Sequence, residues 1–138
     1  MVPNKTRLDY LESALDRLEE AIELSHKQES EHLYRFLRDS VIKSLEFSCD
    51  LLWKSLKDIL ESKHGIMVAS PRAALKEALN VDILNKKEFE ILEDLISDRN
   101  DSSHKYDESM ANEIAKRAEN YHIIMAIVLK NLHNIASK

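Results

Sequence analysis

The chain has 138 residues, carries a formal net charge of −5 and contains one glycine, two prolines and one cysteine. Leu, Glu, Lys and Ala are abundant while helix breakers are scarce, so the composition predicts one all-α domain covering residues 1–138. The negative charge argues against a broad nucleic-acid-binding surface, and we expect no DNA partner, although a local basic groove stays open. The lone Cys49 excludes an internal disulfide and argues against a zinc site.

The single cysteine favours a reducing, cytoplasmic setting, and hydropathy predicts a soluble protein without a membrane partner. Residues 1–7 run into charged side chains without the apolar stretch of a signal peptide. We see no window with the roughly eighteen apolar residues that a membrane span needs. The mixture of 33% charged and 43% hydrophobic residues suits solvated helices around an apolar core and argues against disorder.

Two long helices are predicted in the first half of the chain. The first covers about residues 6–27, because its apolar residues recur at alternating spacings of three and four: Leu8, Leu11, Leu15, Leu18 and Ile22. Ser30 can cap a second helix, and neither glycine nor proline interrupts it before Gly65. At roughly thirty residues this helix would be about 50 Å long. That length exceeds what a compact domain needs, so part of the helix is a candidate partner surface.

The Ser70-Pro71 pair predicts a short third helix over about residues 71–80. Serine caps a helix, and proline at the first helical position loses no hydrogen bond. Asn85 can begin a fourth helix, and Asp107 or Ser109 can cap a last one that reaches about residue 136. The expected fold is an up-and-down four-helix bundle with one short extra connecting helix.

Apolar periodicity breaks after Asp98, between the last two helices. Residues 99–107 hold an arginine, a histidine and a tyrosine, which suit phosphate chemistry. A guanidinium binds phosphate oxygens and stabilises developing negative charge, while histidine exchanges protons near neutral pH. The competing interpretation is that these side chains cap carbonyls or pair with local acids: Asp98, Asp101 and Asp107.

The pattern of Arg99-Asn100, three residues, His104, one residue and Tyr106 resembles the signature of HEPN domains. More narrowly, it resembles the nucleotidyltransferase substrate-binding proteins, the HEPN halves of two-gene modules with a minimal nucleotidyltransferase. Further stretches are similar to that family in the same order: residues 47–57 with their Trp-Lys pair, residues 70–72 before an alanine-rich helix, and residues 92–94. Together they span about residues 8–132.

The resemblance implies a HEPN-like bundle that forms a homodimer, with two Arg–His motifs facing one cleft. It implies a toxin that cleaves RNA as a metal-independent endoribonuclease without a cofactor, with Arg99 and His104 as the catalytic pair and Asn100 in support. The implied partner is a minimal nucleotidyltransferase antitoxin that adenylylates Tyr106. An attached AMP would place a bulky anion in the phosphate-binding cleft and engage its arginine.

Two other functions stay open. The chain is then either a non-catalytic nucleotide- or substrate-binding subunit of a two-component nucleotidyltransferase, or a dimeric helical scaffold without a ligand. A metal site is not expected. The Glu29-x-x-His32 spacing that builds di-iron sites in bundles occurs once, and such sites need a pair.

Aromatic and basic residues offer further hypotheses. Trp53, Phe47 and Tyr34 form either a base-stacking platform or part of the core or dimer interface. Cys49 is interpreted as a small buried hydrophobe rather than a nucleophile. An RNA path along scattered lysines is open, but the sequence does not place them on one surface: Lys54, Lys57, Lys63, Lys105 and Lys116.

Overall fold

The computed structural model describes residues 6–27, 30–104 and 107–138, with the backbone alone described for residues 103 and 104. These ranges form five helices: α1 (Arg7–His26), α2 (Glu31–His64), α3 (Pro71–Asn80), α4 (Lys86–His104) and α5 (Glu108–Ala136). Within them there is no strand. The predicted all-α bundle of four main helices and one short helix is confirmed.

Side-chain caps define where the helices begin. The Thr6 hydroxyl accepts from the backbone N–H of Asp9, and the Asp9 carboxylate accepts from the N–H of Thr6, forming a capping box. Asn85 and Glu88 make the same reciprocal pair before α4. At the other end of α2, Gly65 takes a left-handed conformation with φ of 65°, which terminates the helix as predicted. Local sequence therefore sets these boundaries before tertiary packing contributes.

The helix α4 is longer than the apolar pattern suggested. Periodicity breaks after Asp98, yet the backbone stays helical through Arg99 to His104. The reason is that polar residues replace apolar ones in the contacts of the last turns. Asp98 bonds to α5, and Arg99 bonds to α2. Because ion pairs rather than methyl groups anchor this end, an apolar pattern alone ends too early.

Helices α2 and α5 pack against each other at the centre of the bundle. Both α1 and α4 pack against this pair, while α3 lies on α2 and α4. Buried side chains from all five helices form one continuous core that includes Leu18, Leu56, Leu75, Leu95 and Met125. In the described residues α1 and α4 do not contact each other, so they flank α2 from two sides. Among the helices that the structure describes, none has the length and apolarity to cross a membrane.

Candidate active site

Arg99 is held against α2 by two carboxylates. Its Nε and Nη2 donate to Asp50 Oδ1 and Oδ2, each at 3.1 Å, and its Nη1 lies 3.8 Å from Glu46 Oε2. Glu46 also accepts from the Ser102 hydroxyl at 2.7 Å. The hydrogen bonds to Asp50 raise the pKa of Arg99 above its ordinary value. The guanidinium is therefore a permanent, oriented cation, and its side chain remains 28% exposed.

Asp98 anchors the same stretch of α4 to α5. Arg117 donates from Nε and Nη2 to its two carboxylate oxygens at 2.8 and 2.9 Å, and the Tyr121 hydroxyl donates to it as well. Burial, together with the bond to Asp98, raises the pKa of Tyr121. Because Asp98 is engaged by α5, it is not the partner of Arg99. The ion pairs described for Arg99 are with Glu46 and Asp50 of α2, and not with Asp98, one of the local acids that the competing interpretation suggested.

The start of α5 is fixed by Arg38, a charged residue that is only 1% exposed. Arg38 Nη1 donates to Glu108 at 2.6 Å and to Asn112 at 3.1 Å, both in the first turns of α5. This bonding lowers the pKa of Glu108. Asp107 caps the helix by accepting from the backbone N–H of Met110 at 2.7 Å. Ion pairs at Asp98 and Glu108, together with the helix cap at Asp107, thus secure the chain on both sides of the motif.

The predicted site residues fall partly within the described structure. Arg99 lies near the end of α4 with Asn100 exposed beside it, and His104 is the last residue of that helix. Five residues along a helix rotate by more than one turn, so Arg99 and His104 share a side only loosely. The side chain of His104 and the whole of Tyr106 lie outside the described residues. The roles predicted for both remain predictions.

A cleft of about 600 Å³ opens beside Arg99, over the outer surface of α2. We call it the α1–α2 cleft. It is lined by Tyr10 and Arg17 from α1, by Lys43, Phe47 and Asp50 from α2, and by Arg99. Its position follows from the packing, because α1 and α4 flank α2 without contacting each other.

Within the described residues, the aromatic and basic side chains suggested for RNA binding do not all lie together. The suggested aromatic platform does not form: Phe47 lines the cleft, whereas Trp53 packs against the core. The cations of the cleft are Arg17, Lys43 and Arg99 rather than the lysines suggested for an RNA path, of which Lys105 lies outside the described residues.

Burial confirms Cys49 as a small core residue, since it is 1% exposed and desolvation raises its pKa to about 12. Such a thiol stays protonated at neutral pH and is a poor nucleophile. Glu29 of the Glu-x-x-His spacing lies outside the described residues. In the part of the chain that the structure describes, no three His, Cys, Asp or Glu side chains cluster to hold a metal ion.

Asp50, Glu46 and Arg38 were missed by sequence reasoning. Asp50 belongs to the stretch of residues that resembled the family, but nothing in its spacing paired it with Arg99, 49 residues later. Arg38 interrupts an otherwise apolar stripe of α2, and a charged residue at a core position is a usable signal for a buried ion pair. Both observations become informative only once α4 and α5 are placed against α2.

The fold and site together define an all-α bundle with an oriented arginine at the edge of a cleft. The family model described as "nucleotidyltransferase substrate binding protein like" matches residues 6–134. The chain therefore belongs to this family. A comparison with curated protein sequences finds no match.

Solved structures support the assignment and extend it to the HEPN fold. A crystal structure of a protein from Thermus thermophilus is 30% identical, with 88% of this chain and 98% of that chain covered and a TM-score of 0.79. A tri-AMPylated Shewanella oneidensis HEPN toxin in complex with MNT antitoxin is 14% identical. The match covers 95% of this chain and 99% of that chain, with a TM-score of 0.79. A toxin–antitoxin crystal structure with AMP-PNP is also 14% identical. That match covers 94% of this chain and 99% of that chain, with a TM-score of 0.78. At 14% identity the last two show the fold alone.

Proposed function

We propose that this chain is the toxin subunit of a two-gene toxin–antitoxin module and a metal-independent endoribonuclease. Arg99 and His104 form the catalytic pair, with Asn100 in support. The protein works in the cytoplasm as a homodimer, in which two such motifs face one cleft. A partner nucleotidyltransferase of the minimal type neutralises it by adenylylating Tyr106.

The observation that carries this proposal is the position and charge of Arg99. It is a charged, partly exposed guanidinium, fixed by Asp50 at the edge of a cleft, on the helix that ends at His104. Since the sequence places His104 five residues later, a phosphate-binding cation and a proton-transfer group come from one short stretch of chain.

The chemistry needs no metal ion. His104 takes the proton of a ribose 2′-hydroxyl as the oxygen attacks the adjacent phosphorus, and the bond to the 5′-oxygen breaks as that oxygen gains a proton. The products are a 2′,3′-cyclic phosphate and a 5′-hydroxyl. Arg99 stabilises the negative charge that develops on the phosphate oxygens. A phosphate at Arg99 therefore shares the guanidinium with Asp50, which accepts from Nε and Nη2, and with Glu46, which lies 3.8 Å from Nη1.

Adenylylation gives a direct off-switch for this chemistry. The Tyr106 hydroxyl attacks the α-phosphorus of ATP and pyrophosphate leaves. The resulting AMP ester lies two residues after His104 in the sequence, and its anionic phosphate suits the same arginine. Two solved proteins of this fold support the proposal, because one is described as an AMPylated toxin bound to its antitoxin and the other as a toxin–antitoxin with AMP-PNP.

The test is RNA cleavage by purified protein in a chelator, with the intact mass of each sample recorded. We expect His104→Ala to lower the cleavage rate about 10²- to 10⁴-fold, because it removes the proton-transfer group. His64→Ala is the matched control, since His64 also ends a helix but lies outside the cleft, and it should cleave at the wild-type rate. Equal cleavage by the wild type and His104→Ala, or no cleavage by a wild type whose mass shows an unmodified Tyr106, would contradict the nuclease proposal.

The second candidate is a non-catalytic subunit that presents a nucleotide to the nucleotidyltransferase. It is favoured by the description of the family as substrate-binding and by the two carboxylates that already offset the charge of Arg99. This function predicts that the unmodified protein binds a non-hydrolysable ATP analogue and cleaves no RNA. Nucleotide binding lost in Arg99→Ala without any nuclease activity would establish it.

A further inference from the structure

The α1–α2 cleft is built from two matched stripes of residues. From α1 it takes Tyr10 and Arg17, seven residues apart, and from α2 it takes Lys43, Phe47 and Asp50. Residues spaced by three, four and seven lie along one side of a helix, so each helix contributes one edge. The two helices run antiparallel, as the pairing of Arg7 with Asp58 shows, which brings Tyr10 towards the Asp50 end and Arg17 towards Lys43.

Charge in the cleft is arranged to receive an anion away from its two acids. Glu46 and Asp50 are both engaged by Arg99, whereas Arg17 is exposed and makes no ion pair with any of the side chains that the structure describes. Lys43 is 87% exposed and lies 4.0 Å from Glu46. Three acids of α1 lie on another side of the helix, where they line a separate groove together with residues of α5: Glu12, Asp16 and Glu19.

Two aromatic rings stand exposed in the same cleft. Tyr10 is 53% exposed and Phe47 is 61% exposed, although rings of this size ordinarily bury most of their surface. Exposed rings beside cations form the usual surface for unpaired bases, because the bases stack on the rings while the cations follow the phosphates. Arg17, Lys43 and Arg99 line one opening, so a single RNA strand could place one phosphate at Arg17 and Lys43 and another at Arg99.

We propose that the α1–α2 cleft is the site for single-stranded RNA next to the scissile phosphate, with Tyr10 and Phe47 stacking on unpaired bases and Arg17 and Lys43 binding the flanking phosphates. The inference rests on the proposed ribonuclease function and assigns its substrate as unpaired rather than duplex RNA. The same cleft explains how a chain of net charge −5 binds a polyanion, because the cations are local.

The experiment measures binding separately from cleavage. A short, labelled single-stranded RNA with 2′-O-methyl groups cannot be cut, and its dissociation constant is measured by fluorescence anisotropy over a range of salt concentrations. We expect Phe47→Ala to weaken binding roughly 5- to 150-fold with an unchanged salt dependence. Arg17→Ala should reduce the slope of log K against log salt by about 0.7, the value for one phosphate contact on a single strand.

Two controls match these variants outside the cleft. Phe36 is 64% exposed on α2 and Arg35 is its exposed neighbour, and neither lines the cleft, so Phe36→Ala and Arg35→Ala should bind as the wild type does. A duplex of the same sequence should compete less well than the single strand, because its paired bases cannot stack on the exposed rings. Circular dichroism and sedimentation confirm that each variant keeps its fold and its assembly state.

Other outcomes of these binding measurements would contradict the proposed RNA site. The inference would be overturned if Phe47→Ala and Phe36→Ala had the same RNA affinity, or if the duplex competed as well as the single strand. It would also be overturned if Phe47→Ala lost RNA binding only because its oligomer dissociated into single chains. The last outcome would make the cleft a contact between two copies of the chain. If Phe47 and Arg17 govern binding but cleavable RNA stays intact, the nuclease proposal fails while the RNA site stands.

Discussion

Asp98 and Arg99 are neighbours in α4 with opposite charges and different surroundings. Asp98 is 8% exposed and bonds to Arg117 and Tyr121 of α5. Arg99 bonds to Asp50 and Glu46 of α2, stays 28% exposed and borders the α1–α2 cleft. Successive helical residues point about 100° apart, so one turn of α4 serves two different helices.

Asp98 and Arg99 differ in whether water can replace an ion-pair partner that a mutation removes. Water reaches the side of α4 that carries Arg99, so the loss of one ion there is partly compensated by solvent. Around Asp98 the protein must supply every hydrogen bond, because an unpaired group in a buried site keeps its full desolvation cost. The Asp98 contacts therefore stabilise the bundle, whereas the Arg99 contacts leave a fixed cation at the edge of the α1–α2 cleft.

Asp98→Ala gives the largest expected change in stability. It removes the acceptor for both Arg117 and the Tyr121 hydroxyl, and we expect a loss of about 2–3 kcal/mol in the free energy of unfolding, measured by urea denaturation. This is below the usual figure for a fully buried pair because the Arg117 side chain is 44% exposed. The matched control is Asp94→Ala, one turn earlier on the exposed side of α4. Equal free energies for the two variants would contradict a structural role for Asp98.

A smaller effect is expected at the other end of the motif, where Arg38 bonds to Glu108. The pKa of Glu108 is lowered in the folded protein, so its contribution is complete above the ordinary carboxyl pKa and is lost as the pH falls through the lowered value. We expect Glu108→Gln to be less stable than the wild type at about pH 7, and the difference to be lost at an acidic pH below the lowered pKa of Glu108. Urea denaturation at both pH values measures it.

Glu113→Gln is the control for this pH dependence. It removes an exposed i,i+3 pair with Lys116 on the same helix, and we expect a change of only about 0.2–0.5 kcal/mol. A Glu108→Gln variant whose deficit persists undiminished in acid would show that the charge of Glu108 is not what holds α5 to Arg38.

Most of the fold could be predicted from local sequence. Apolar residues spaced by three and four define α1 and α2, while Ser70 with Pro71 and Gly65 mark a beginning and an end. The end of α4 could not be found in this way, because Asp98 and Arg99 contribute ion pairs to residues far away in sequence. Periodicity reports apolar burial and carries no information about a polar partner on another helix.

The candidate site was only partly predictable for the same reason. Arg99 is found from the motif, but its partner Asp50 and the cleft residues Tyr10 and Arg17 have no signature of their own. In α1, Arg17 looks like any residue of a solvated side. Its position next to Lys43 follows from the antiparallel packing of α1 on α2, which single-sequence patterns do not encode.

The central claim is that Arg99 serves chemistry while its neighbour Asp98 serves stability, and Arg99→Ala tests it most directly when RNA cleavage and urea unfolding are measured on one preparation. We predict a fall in cleavage of about 10²- to 10³-fold with a change of less than about 1 kcal/mol in the free energy of unfolding. Arg72→Ala, which removes an exposed arginine bonded to Ser97, should leave both unchanged. Undiminished cleavage by Arg99→Ala, or a loss fully explained by unfolding, would contradict the account.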